Sequence, residues 1–379
     1  PKGVNDTSFI PYAVRKAFGL TTIDNKVAIY AYYFHSLLQR ATDITLTYNK
    51  AASKTATGEM SRFMLQLMVE SGQNIHFKNL NASQNPLQSI KKPIVKNQEV
   101  MRNIYQTDRL SPTAITTYLR CQMRFYYRYI AGIKEPDNEE DEIDNRIFGN
   151  IFHRAAELFY ESKCNKDVVQ KQDIINALKD KSLLPRIIEE AFREKLFNVK
   201  DDKNITYNGL QIINRQVIIE YIKRLLAIDQ KLTPFSILGL EKPIEMPFDI
   251  NTQEGLKQIS LFGNIDRIDK IDENGNTCIR VVDYKTGSND KTSIKSVDDI
   301  FNPEKIESHS DYYLQALLYS IMLYNNRNLN PNHLPVSPAL LFIQHATGDD
   351  YTPILKFGKD IITDVSIYTE DFLSKLKEL

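Results

Sequence analysis

The chain changes its hydrophobic period near residue 233, and that change limits the fold more than any other feature. Residues 168–232 carry apolar side chains at helical spacing, with breaks near Pro185 and Asn208. After that, ILGLEKPIEMPFDI (237–250), QISLFGNIDRIDKID (258–272) and TCIRVVDYKTG (277–287) alternate or run apolar, which predicts successive strands. The last two flank ENGN, a hairpin turn signal, so they are expected to pair antiparallel. Upstream, Ser111 and Pro112 suit the N-cap and first position of one helix reaching Gly132. A second helix, RIFGNIFHRAAELFYES, begins at Arg146, just after an acidic run (137–144) expected to be a solvated loop. A helix from about Ser310 to Asn325, a strand from Ala339 and a helix from about Asp360 complete the chain. Strands framed by helices imply an α/β class.

The first 107 residues read as a separate small α/β segment: a helix from Val27, a strand DITLTYN from Asp43 and a helix over about 57–71. A Pro-containing connector at 82–98 places the main boundary near residue 107, with a second domain over 108–379. The 48 basic residues balance 48 acidic ones, so only a local patch can attract a polyanion. No membrane span and no signal-peptide pattern are present, and a cytoplasmic location is the expectation. The start at Pro1, without an initiating Met, suits a piece of a longer polypeptide.

The chemistry concentrates in GNIDRID and VVDYKTG. Asp283 and Lys285 lie two apart on a strand and so share a face, and Asp266 is on the expected hairpin partner. Two carboxylates and an ammonium converging in this way suit Mg²⁺ or Mn²⁺, with the lysine steadying charge on a phosphate. A salt-bridged hairpin is the other reading of the same spacing. Arg120, Arg124 and Arg128 fall at i, i+4, i+8 among Phe125, Tyr126, Tyr127 and Tyr129, a stripe able to hold phosphates and stack unpaired bases, or else a solvated face. Taken alone, His153 on an apolar helix reads as a packed core residue.

GNIDRID, VVDYKTG and the later QALLY resemble the PD-(D/E)XK nuclease superfamily, and within it the nuclease modules of RecB- and AddB-type helicase-nucleases. The resemblance covers about 108–379 and implies a restriction-endonuclease-like fold, a central mixed sheet flanked by helices. It makes Asp266 and Asp283 metal-binding acids, Lys285 the catalytic lysine and the Tyr284 carbonyl a further ligand. GNIFHRAAE matches the family's upstream helix, which makes His153 a side-chain ligand, with Glu157 one turn later orienting it or lying near the metal. Gln315 and Tyr319 match its QxxxY signature, a pair able to contact DNA without charge.

Iron-sulfur members place a Cys where Cys121 stands and three more near the C-terminus. Only Cys121, Cys164 and Cys278 occur here, and Gln122 replaces a frequent Pro, so no iron-sulfur cluster is expected. IYAYYFHSLLQRATDITLTYN resembles the end of a superfamily 1 helicase domain, with Arg40 as its nucleotide-sensing arginine, and no GxxxxGK[ST] loop accompanies it. TGSNDKT at 286 lacks the second Gly of that loop. The resemblance therefore implies a metal-dependent deoxyribonuclease, with exonucleolytic end processing in recombinational repair, DNA with single-stranded ends as substrate, and a partner helicase subunit or a missing N-terminal part. A nuclease-inactive DNA-binding scaffold is the alternative. A guide-associated nuclease fits less well, given the helicase-like leader.

Overall fold

The computed structural model describes residues 10–48, 59–79, 108–133, 143–164, 166, 168–199, 206–252, 255–273, 275–287, 294–306, 309–346 and 351–379, with isolated positions 98, 100 and 102. The chain divides into two compact units, 1–93 and 94–379. The boundary expected near residue 107, all but the last residue of the connector and most of the acidic run lie outside the described residues.

In the first unit the described elements are α1 (Tyr12–Ala17), α2 (Ile23–Leu38) and α3 (Arg62–Glu70). The expected strand from Asp43 does not form among the described residues, so this unit is helical where an α/β piece was expected. An alternating segment becomes a strand only when a neighbour completes its ladder.

The second unit begins with β1 (Arg109–Leu110) and α4 (Pro112–Arg120), whose Ser111 N-cap accepts from the Ala114 N–H at 3.2 Å. The single helix expected up to Gly132 is broken. Cys121 is extended (φ −163°, ψ 105°), α5 (Gln122–Phe125) restarts the helix, and a π turn follows over Tyr126–Ile130. One extended residue between two helical segments leaves no mark on the periodicity, so the sequence reads straight through it. Next come α6 (Asn145–Tyr160), capped by Asp144, then β2 (Val168–Val169), α7 (Lys171–Lys179) and α8 (Leu183–Phe192), which ends in a π turn over Arg193–Phe197. Pro185 is tolerated in the first turn of α8, and Asn208 starts α9 (Gly209–Leu232) with a reciprocal cap to Gln211.

β3 (Phe235–Thr252), β4 (Gly255–Glu273) and β5 (Asn276–Lys285) form the expected antiparallel meander. Short α10 (Val297–Phe301) and α11 (Pro303–Ile306) lead to α12 (Ser310–Asn325) and β6 (Val336–Phe342), which pairs parallel with β5. A small hairpin, β7 (Lys356–Phe357) with β8 (Asp360–Ile361), occupies the expected start of the last helix, so α13 runs from Ser366 to Glu378.

The strand order is β2-β3-β4-β5-β6, with β1 parallel to β4, and the result is one mixed sheet. One core packs α12, α13 and the α10 region against one face, around Leu261, Ile279, Val281, Leu317 and Phe372. The other packs α6, α8 and α9 against the opposite face, around Phe152, Ile188, Leu225, Val282 and Tyr284. Both faces of β6 are buried, the pattern of a strand covered on two sides. No helix among the described residues is long and apolar enough to cross a membrane.

Candidate metal centre and active site

β4 holds β3 along one edge, and its other edge is shared. β1 pairs with Ser260 and Leu261, β5 pairs from Arg267 onward, and residues 262–266 between them have no strand partner on that edge among the described residues. β5 runs on beyond its last pairing with β4, held by β6. The two strands therefore splay apart where Asp266, Asp283, Tyr284 and Lys285 lie. Asp266 closes the gap, its Oδ2 accepting the Tyr284 N–H at 2.7 Å.

Alternation along β5 turns Asp283 and Lys285 to one face and Tyr284 to the other. Asp283 is buried, and Lys285 Nζ lies 2.8 Å from its Oδ2 as an ion pair. The ammonium also donates to Gln315 Oε1 at 2.9 Å and lies 4.9 Å above the Tyr312 ring. Burial pushes the Asp283 carboxyl up to about 6, with Lys285 opposing and Asp266 adding to the shift. Burial works against the Lys285 charge, but Asp283 and Asp266 hold its pKa above the usual lysine value.

α6 brings His153 to the same place. His153 Nδ1 lies 3.4 Å from Asp266 Oδ2 and 3.5 Å from Glu241 Oε1. One donor atom from each of His153, Glu241 and Asp266 lies within 4.8 Å of the others, a set that one divalent cation could bridge. Burial opposes a charge on His153, yet the two carboxylates raise its pKa to about 10. Burial also works against Asp266, and His153 with the Tyr284 N–H still holds its carboxyl below the ordinary range. Two carboxylates and an imidazole suit Mn²⁺ well and Mg²⁺ acceptably.

Sequence spacing does not single out Glu241. Its backbone is left-handed (φ 42°) inside β3, and it falls between the Leu240–Arg267 and Lys242–Ile265 pairs. A non-glycine residue in that region carries conformational strain, and here it turns a strand residue toward the cluster. A glutamate among apolar strand residues was the available signal, but Glu245 in the same strand gives it too.

The remaining expected residues fall into three groups. Gln315 and Tyr319 sit within the cluster. Gln315 holds Lys285 and also hydrogen-bonds the Tyr319 phenol, easing a pKa that burial pushes up to about 12. Tyr319 is 7% exposed and packs on the bare backbone of Gly263, where a Cβ would lie 2.6 Å from the phenol oxygen. Glu157 pairs with Arg154, three residues before it on the same helix, at 2.8 Å, and Arg154 also holds Glu194. Arg120, Arg124 and Arg128 are exposed, but the break at Cys121 and the π turn divide the expected stripe. Arg120 bonds Asp311 at 2.9 Å, and the Arg128 guanidinium lies 5.6 Å from the Tyr129 ring.

These motifs agree with what the chain is similar to. It is 26% identical over 289 residues, 71% of this chain, to an ATP-dependent helicase/deoxyribonuclease subunit from Clostridium acetobutylicum, of which the match covers 22%. It is 27% identical over 241 residues, 62% of this chain, to the like-named protein from Carboxydothermus hydrogenoformans, covering 20% of it. The Clostridium perfringens protein is 26% identical over 298 residues, 74% of this chain and 23% of that one. The chain thus spans about a fifth of the length of these relatives. Residues 109–379, the stretch that holds the mixed sheet and every member of the His153–Asp266–Lys285 cluster, match the family model, and the chain belongs to the PD-(D/E)XK nuclease superfamily.

Proposed function

We propose that residues 108–379 are the nuclease module of a helicase-deoxyribonuclease, hydrolysing DNA phosphodiester bonds with Mg²⁺ or Mn²⁺, and that residues 1–107 end a degenerate helicase domain. The observation that carries this reading is the convergence of His153, Glu241 and Asp266 beside the Asp283–Lys285 pair. The names of the relatives support DNA as substrate and a helicase partner, either as a separate subunit or as the rest of the same polypeptide. Exonucleolytic trimming of single-stranded ends during recombinational repair, in the cytoplasm, belongs to the same reading.

His153, Asp266 and Glu241 would hold the cation, with Asp283 and the Tyr284 carbonyl as the further oxygens of the family pattern. When bound, the cation supplies positive charge against the phosphate and acidity to a water. Lys285, held between Asp283 and Gln315, keeps donor capacity for a phosphate oxygen and stabilises charge that grows in the transition state. Gln315 and Tyr319 hold that lysine's surroundings in place, and Asp266 keeps β5 in register with the site through the Tyr284 N–H.

The test is cleavage of linear single-stranded and duplex DNA with Mn²⁺ or Mg²⁺, against EDTA, in the wild type and Asp266→Asn. Metal-dependent cleavage that is lost together with Mn²⁺ binding in the variant supports the reading. DNA binding without cleavage under any of these metals would assign the chain to the scaffold class.

A further inference from the structure

Directly behind the site lies a second charged cluster with no access to solvent. Arg267, Asp229 and Asp269 are each 0% exposed and Arg280 is 2% exposed. Arg267 grips Asp229 through two bonds, Nη1 to Oδ2 at 2.7 Å and Nη2 to Oδ1 at 2.8 Å. Its Nη2 also reaches Asp269 Oδ2 at 3.1 Å, and Arg280 Nη2 donates to that oxygen at 2.8 Å. The Tyr160 hydroxyl donates to Asp229 at 2.7 Å. Two acids and two guanidiniums balance in charge.

One bond leaves it. Arg267 Nη1 donates to the Tyr284 phenol oxygen at 3.0 Å. The N–H of that same Tyr284 is the group that holds Asp266 Oδ2, and the edge of its ring packs against the His153 ring with centroids 5.8 Å apart. Tyr284 is 4% exposed, so its ring is packed on all sides between the two clusters. We infer that Arg267 and Tyr284 act as positioning residues, transmitting the rigidity of the buried charge cluster to Asp266 and His153 and thereby fixing the geometry of the metal site. This inference rests on the metal-site reading above. Groups that orient metal ligands through hydrogen bonds typically change affinity by about 10- to 100-fold when removed.

The experiment titrates metal-free protein with Mn²⁺ and follows the free ion by electron paramagnetic resonance, with the melting temperature measured alongside. Tyr284→Phe keeps the ring and the peptide but removes the phenol oxygen that Arg267 holds. It is expected to weaken Mn²⁺ binding by about tenfold while its melting temperature stays within a few degrees of wild type. Tyr160→Phe is the control, removing a buried hydroxyl from the same cluster without touching Tyr284, and its Mn²⁺ affinity is expected to stay within about twofold of wild type. Unchanged Mn²⁺ affinity in folded Tyr284→Phe overturns the inference, as does an equal loss in Tyr160→Phe, which would mark general loosening of the core. If wild type and Asp266→Asn bind Mn²⁺ alike, the metal-site reading itself fails, an outcome separate from either of these.

Discussion

The Arg267 cluster and the His153–Lys285 cluster both draw on β4 and β5, yet they are built differently. In the first, Asp229, Asp269, Arg267 and Arg280 balance and are closed to water. In the second, Glu241, Asp266 and Asp283 outnumber Lys285, and the side chains of His153 and Glu241 remain 28% and 31% exposed. A balanced buried cluster stabilises or positions. An unbalanced one that reaches solvent holds a standing attraction for a cation. The perturbed carboxyl of Asp283 and the strained backbone of Glu241 both belong to the second, as expected where function sets the arrangement.

Removing a charge from each cluster separates them. Arg267→Ala leaves two buried carboxylates with reduced compensation and is expected to cost about 3–5 kcal/mol of stability, read by urea denaturation. Lys285→Ala is expected to leave the denaturation midpoint close to wild type while lowering DNA cleavage about 100- to 1,000-fold. If the lysine variant unfolds instead, the two clusters share a structural role and the contrast is lost.

A subtler difference lies in pH. Asp283 has a folded-state pKa raised by burial to about 6 from an ordinary 3.8. Between those values the unfolded chain has lost a proton that the native state keeps, so stability falls as pH rises through this window and is level above it. Relative to wild type, metal-free Asp283→Asn should therefore gain about 1–3 kcal/mol as pH goes from about 4 to 6. Melting curves over pH 3.5–7.5 measure this, and parallel curves for the two proteins would remove Asp283 from the strained set.

The smallest effect is at the surface. Arg124→Ala should reduce the slope of log DNA affinity against log salt by roughly 0.7–0.9 if that side chain meets a phosphate. Its melting temperature should barely change. A lowered melting point with an unchanged slope would instead give the arginine a packing role and extend structural charge beyond the Arg267 cluster.

Much of this was legible in the chain. Period-two stretches around GNIDRID and VVDYKTG located the meander, and Ser111 and Pro112 marked a helix start that the structure keeps. Asp266, Asp283, Lys285 and His153, expected at one centre, do meet. What escaped depends on geometry that one-dimensional spacing does not carry. Glu241 joins through a left-handed residue, Glu157 is taken by Arg154, and Cys121 interrupts a helix whose periodicity continues on either side. Arg267 and Asp269 stood in full view in DRID but were unreadable, because Asp229, which Arg267 holds, lies 38 residues upstream on a helix and Arg280, which also holds Asp269, lies on the next strand.

The splay between β4 and β5 leaves one amide, that of Tyr284, dependent on a side chain where its neighbours depend on a ladder. Its hydrogen bond lasts only as long as the Asp266 carboxylate stays free to accept it. In a hydrogen-exchange experiment this single proton is consequently a built-in gauge. Its protection should follow the occupancy of the site while the amides of Val281 and Val282 report only on the sheet, so one spectrum would register ligand and scaffold separately.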